Sequence, residues 1–92
     1  MIASFKHKGL KVYFEEDDGS KLPPDMLAKI RLILTALEAS TAIEGMNNPL
    51  FKLHPLKGDL QGFWSVTVKA NWRIIFKFDG GNAFDVDFVD YH

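Results

Sequence analysis

Hydrophobic and polar residues follow a strong period of two over the C-terminal third of the chain. Trp64, Val66 and Val68 share one parity, Trp72, Ile74, Phe76 and Phe78 the next set, and Phe84, Val86 and Phe88 a third. A period of two belongs to strands with one buried face, so three strands joined as a meander are predicted. Upstream the period changes. Met26, Leu27, Ile30, Ile33, Leu34 and Leu37 recur at helical spacing behind Pro23-Pro24-Asp25. Proline in the first turn loses no hydrogen bond and an early carboxylate suits the helix dipole, so a helix is expected from here to about Ala39. Phe5, Leu10 and Phe14 predict a shorter amphipathic helix, weakened by Gly9 and closed by the Asp18-Gly19-Ser20 turn. Asn47-Asn48-Pro49 reads as a turn and Leu50-Phe51-Lys52-Leu53-His54 as one more strand. Helices first and strands afterwards predict an α+β domain, its N-terminal helices packed on one face of a mainly antiparallel sheet.

The alternation also predicts register. A slip of one residue would turn a whole apolar set outward, so even positions pair with even ones. A three-residue loop, Lys69-Ala70-Asn71, sets Val68 opposite Trp72 and Thr67 opposite Arg73, with Asn71 suited to a left-handed backbone. A second loop, Gly80-Gly81-Asn82, sets Phe78 opposite Phe84, Lys77 opposite Asp85 and Arg73 opposite Val89. Carried onward, this register puts Tyr91 opposite Asn71 and diagonal to Arg73. Asp90-Tyr91-His92 then arrives beside the hairpin at 69–73.

Ninety-two residues are expected to form one domain over 1–92, since domains run to roughly 100–200 residues. A composition 47% hydrophobic and 25% charged is that of a globular chain rather than a linker or tail. The absence of cysteine excludes a disulfide framework and cysteine-bound zinc, and fits a reducing cytosol. No apolar run exceeds three residues, against about 20 for a membrane span, and the opening turns basic before a signal-peptide core forms. A cytoplasmic location without membrane contact is expected.

A net charge of −1 argues against a general nucleic-acid binder, yet the charge is unevenly spread. Between 52 and 77 the chain carries Lys52, Lys57, Lys69, Arg73 and Lys77 against Asp59 alone. Such a segment can form a local anion site while the total stays near zero. RNA cleavage through the 2′-hydroxyl needs a base, cations for the pentacoordinate phosphate, and an acid for the leaving 5′-oxygen. His92 is a natural proton carrier, because imidazole titrates near neutral pH. Arg73 offers a two-pronged donor for phosphate and Lys69 a point charge. Tyr91 can stack on a base or exchange a proton, and Asp90 can orient His92 or act as a base. His54-Pro55-Leu56-Lys57-Gly58-Asp59 makes a sharp exit from a strand and adds a second imidazole, His54, with a phosphate contact at Lys57. His7, His54 and His92 lack metal-ligand spacing, no glycine-rich phosphate loop precedes a helix, and no serine sits in a nucleophile elbow. Neither a metal nor another cofactor is expected.

Several pieces together resemble a known family. Ile2-Ala3-Ser4-Phe5-Lys6-His7-Lys8-Gly9-Leu10-Lys11, Lys52-Leu53-His54-Pro55-Leu56-Lys57-Gly58-Asp59, Gly62-Phe63-Trp64-Ser65-Val66, Asn71-Trp72-Arg73-Ile74 and Asp90-Tyr91-His92 are similar to the HigB toxins, a branch of the RelE superfamily. The resemblance implies a ribosome-dependent endoribonuclease that cuts mRNA in the A site of the small subunit without a metal. It implies a HigA-like helix-turn-helix antitoxin as partner, with operator DNA reached only through that antitoxin. Catalytic positions carry over to His54, Arg73, Asp90, Tyr91 and His92, and RNA contacts to Lys57, Lys69 and Arg73. Lys69 stands where relatives often have arginine, which keeps the charge and loses the fork. The alternative is a RelE-like module without catalysis, acting only as antitoxin partner and co-repressor. Which residue is base and which acid stays open at this level.

Overall fold

A computed structural model describes residues 1–91. Helix α1 spans Lys8–Glu16 and helix α2 Leu27–Ala39; strands follow at His54–Pro55 (β1), Trp64–Lys69 (β2), Trp72–Asp79 (β3) and Asn82–Asp90 (β4). The four strands form one antiparallel sheet in the order β1-β2-β3-β4. The expected α+β architecture is therefore found, with both helices packed on one face of the sheet. Among the described residues no helix is long and apolar enough to cross a membrane.

Helix α2 follows a single turn of 3₁₀ helix at Pro24–Met26, and its expected stripe is buried through Ile30, Ile33, Leu34 and Leu37. Each such side chain contributes about 1.5–3 kcal/mol by leaving water. They meet Val66, Ile74, Phe76 and Val86 from the sheet. Helix α1 starts later than the Phe5 periodicity suggests, because His7 caps it: the Leu10 amide donates to His7 Nδ1 at 3.2 Å. Gly9 lies in the first turn without ending the helix, with the His7 ring packed where a Cβ would stand.

Residues ahead of α1 supply a feature with no periodic signal. Ile2 and Phe5 bridge to Ala83 and Val86 in parallel, with Ala3 and Lys6 amides donating to the Ala83 and Val86 carbonyls at 2.7 and 2.9 Å. The free edge of β4 is thereby covered, which removes a pairing hazard.

Three expectations need correction. Leu50–His54 is not a strand: residues 49–51 turn, Lys52 has a left-handed backbone (φ 52°), and only His54 and Pro55 pair with β2. Both hairpin loops hold two residues, not three. Lys69 lies opposite Trp72, so Val68 does not, and the left-handed residue is Ala70 rather than Asn71. Asp79 lies opposite Asn82 across Gly80-Gly81, whose φ values of 58° and 82° give the doubly left-handed turn favoured in tight hairpins. Phe78 consequently faces Ala83 instead of Phe84, and Lys77 faces Phe84 instead of Asp85. Phe84 leaves the apolar row and Ala83 takes its place in the core.

Each shortened loop is matched by a bulge. The register shifts between Thr67 and Lys69 on one ladder and between Ile75 and Lys77 on the next, where Asp85 adopts φ 53°. One surplus residue in the strand offsets the residue missing from the turn. Thr67 therefore still lies opposite Arg73, and Arg73 opposite Val89, as expected.

Candidate active site on the outer face of the sheet

Residues directly opposite each other on neighbouring strands point to the same face. His54 pairs with Ser65, Ser65 with Ile75, and Ile75 with Asp87, so one row crosses all four strands on the side away from the helices. The next row toward the β2–β3 turn is Thr67, Arg73 and Val89. His54 and Arg73 thus share the outer face, two strands and two residues apart, which is about 12 Å between Cα atoms by sheet spacing.

This face has its own small apolar cluster. Leu56 and Ile75 are buried yet lie outside the main core. Phe63 sits beside them under the Lys77 ammonium (5.1 Å to the ring centroid), and Lys77 also approaches Asp85 at 3.9 Å, a side-chain contact made across the bulge. Burial of Leu56 fixes the segment carrying His54 two residues before it and Lys57 just after. Lys57 is exposed at the start of a 3₁₀ turn, Gly58–Leu60, with Gly58 in the left-handed region (φ 68°).

His54 is exposed, and its Nδ1 lies 3.2 Å from the Lys52 carbonyl. A carbonyl only accepts, so Nδ1 carries a hydrogen, and in the neutral ring the lone pair is then on Nε2. Arg73 is half-buried, and its Nη1 donates to the Ala70 and Trp72 carbonyls. Its Nε is buried without a hydrogen-bond partner among the described residues. Trp72, the next residue back, stacks on Phe88 (4.7 Å, 19° between rings) and anchors this end of β3 against β4.

The last strand arrives as the register requires. The Tyr91 amide donates to the Asn71 carbonyl at 2.8 Å, Asp90 lies opposite Trp72, and Tyr91 is exposed. His92 lies outside the described residues. Lys69 takes a different direction. Displaced by the bulge at Val68, its ammonium donates to Asp25 Oδ2 at 2.6 Å, on the helix side of the molecule. That bond, reinforced by the lysine charge, holds the Asp25 carboxyl below the usual carboxylate range.

His54, Arg73, Lys57 and Tyr91 are thus distributed along one face and its turn end, while Lys69 is engaged elsewhere. Ser65, fully buried between His54 and Ile75, escaped sequence reasoning. Its signal was an outward-facing parity occupied by a small hydroxyl. Among the described residues no three histidine or carboxylate side chains converge as a metal would require.

The sheet thus carries helices on one face and, on the other, an imidazole and a guanidinium. The YoeB–YefM complex from Staphylococcus aureus shares the fold, with a TM-score of 0.57 at 19% identity over 100% of this chain and 98% of that one. Residues 3–92 match the model of the HigB-like toxins, described as RelE-like toxins of the type II toxin–antitoxin system HigB. Endoribonuclease HigB of Proteus vulgaris is 49% identical over 92 residues, covering 100% of both chains. Toxin HigB-1 of Vibrio cholerae serotype O1 is 29% identical over 94 residues, covering 100% of this chain and 98% of its own. The chain belongs to the HigB-like toxin family.

Proposed function

We propose that this protein cuts mRNA presented in the ribosomal A site, through the RNA's own 2′-hydroxyl and without a metal. It is an endoribonuclease toxin of a type II toxin–antitoxin system, as its family and its Proteus vulgaris relative indicate. The observation that carries the mechanism is the shared outer face of His54 and Arg73.

In this mechanism His54 is the base. With Nδ1–H held by the Lys52 carbonyl, Nε2 takes the 2′-hydroxyl proton as the 2′-oxygen attacks phosphorus. Charge gathers on the phosphate oxygens, and the Arg73 guanidinium with the Lys57 ammonium holds it, which is why the reaction proceeds without a metal ion. The 5′-oxygen leaves with a proton from the group at 90–92, producing a 2′,3′-cyclic phosphate and a 5′-hydroxyl. Asp90, Tyr91 and His92 belong to that group; Lys69 adds a phosphate contact once it leaves Asp25.

Ribosome dependence is supported by the charge distribution. A total of −1 gives little general affinity for RNA, while the 52–77 segment supplies positive charge where the cut is made. The partner is a HigA-like helix-turn-helix antitoxin through which operator DNA is reached, a reading supported by the family's type II assignment. The protein acts in the cytoplasm, where ribosomes present mRNA. Mapping cut sites on translating ribosomes tests the whole proposal. Wild type cuts within A-site codons and His54→Gln does not, whereas naked RNA is cut weakly and in a salt-sensitive way. Equal rates on naked and ribosome-bound mRNA overturn ribosome dependence; full activity of His54→Gln overturns the assignment of the base.

A further inference from the structure

Two buried side-chain polar atoms lack hydrogen-bond partners among the described residues: Ser65 Oγ and Arg73 Nε. Both lie on the outer face of the sheet. Ser65 is paired with Ile75, and Arg73 stands two residues before Ile75, so the two are diagonal neighbours about 7–8 Å apart at Cα. The serine hydroxyl reaches out by one bond beyond Cβ and the arginine Nε by three, which brings the pair within closing distance. Their chemistry is complementary, since Nε–H only donates and the hydroxyl accepts.

Leaving either group unpaired in a buried position is unfavourable, and leaving both unpaired side by side is doubly so. His54, the cross-strand partner of Ser65, is a weaker candidate for the hydroxyl, because its near nitrogen is already bonded to the Lys52 carbonyl. Arg73, in contrast, is bonded among the described residues through Nη1, to the two carbonyls beside the β2–β3 turn. Engaging a phosphate requires the guanidinium to turn away from those carbonyls, and a turned fork needs a new anchor.

We propose that Ser65 is a positioning residue for Arg73: its hydroxyl accepts the Nε–H bond when the guanidinium turns to RNA, fixing the plane of the fork. This rests on the proposed function, with Arg73 as the phosphate-binding group. Ser65 touches neither RNA nor the reacting atoms; it acts through Arg73. Because its hydroxyl has no partner among the described residues, removing it leaves the fold intact or slightly more stable.

A double-mutant cycle tests the proposal on ribosome-bound mRNA, using wild type, Ser65→Ala, Arg73→Lys and the double variant. Lysine has no Nε–H, so it removes the bond from the arginine side. Ser65→Ala is expected to lower the maximal cleavage rate by about tenfold, with KM and melting temperature nearly unchanged. In the Arg73→Lys background it is expected to have no further effect. Wild-type rates for Ser65→Ala, or an equal loss in both backgrounds, overturn the proposal while the proposed function stands. Absence of any cleavage by wild type overturns the proposed function instead. The bond itself is then read by nuclear magnetic resonance of the Arg73 Nε–H with a 2′-O-methylated, uncleavable oligoribonucleotide. Slower exchange with water on adding this probe, seen in wild type and lost in Ser65→Ala, supports the bond; no slowing in wild type overturns it.

Discussion

At the scale of single residues, the site is decided by where each cation is anchored. Arg73 is tied to backbone carbonyls of the neighbouring turn and stays on the outer face, whereas Lys69 is tied to Asp25 on the other side. On the proposed mechanism Arg73→Ala removes the phosphate-binding guanidinium and is expected to cut the cleavage rate by about 10²–10³-fold with little change in KM, measured by single-turnover cleavage on ribosomes. Asp25→Asn should do the opposite, because it releases Lys69 toward RNA. The slope of log affinity against log salt for an RNA oligomer should steepen by about one. Melting temperature should hardly move, since both partners are largely exposed. The Asp25 carboxyl titrates below the usual range, so the pair is complete above the ordinary carboxylate pKa and is lost as pH falls through the lowered one. Neutral solutions therefore keep Lys69 held. The basic residues themselves were legible as an uneven run of charge. Which of them bonds to which carboxylate was not, because Lys69 and Asp25 lie 44 residues apart.

At the scale of elements, periodicity found α2 and the three long strands, and missed the hairpin tips. A three-residue loop without a bulge and a two-residue loop with one give the same alternation further along the strand. Nothing in the hydrophobic pattern separates them, so Thr67–Arg73–Val89 was readable and Val68, Phe84 and Asp85 were misplaced. The strand at 50–54 failed for a local reason: Lys52 takes a left-handed backbone that its side chain does not announce. Gly9 shows the converse. Propensity alone predicts that Gly9→Ala strengthens α1 by about 1 kcal/mol. A Cβ there would lie 2.8 Å from His7 Cε1, and the ring cannot retreat without giving up its bond from the Leu10 amide. Overpacking of about 1–3 kcal/mol exceeds the propensity gain, so Gly9→Ala should lower stability in urea unfolding.

At the scale of the whole molecule, the sheet buries apolar side chains on both faces, the helices covering one and the 56–63 segment part of the other. Leu56 is the main pin of that second layer. Leu56→Ala should cost about 2–5 kcal/mol in denaturant unfolding and also depress cleavage at temperatures where the protein remains folded, because His54 and Lys57 flank it. The α+β layering was readable from the order of helical and strand periods. The parallel edge at residues 2–6 was not, since isolated bridges leave no periodic trace. The paired bulges have a practical consequence. Each hairpin keeps its spare residue between the tip and the Thr67–Arg73–Val89 row, like slack in a cord. Lengthening or trimming a tip by one residue can draw on that slack, leaving the guanidinium aimed as before.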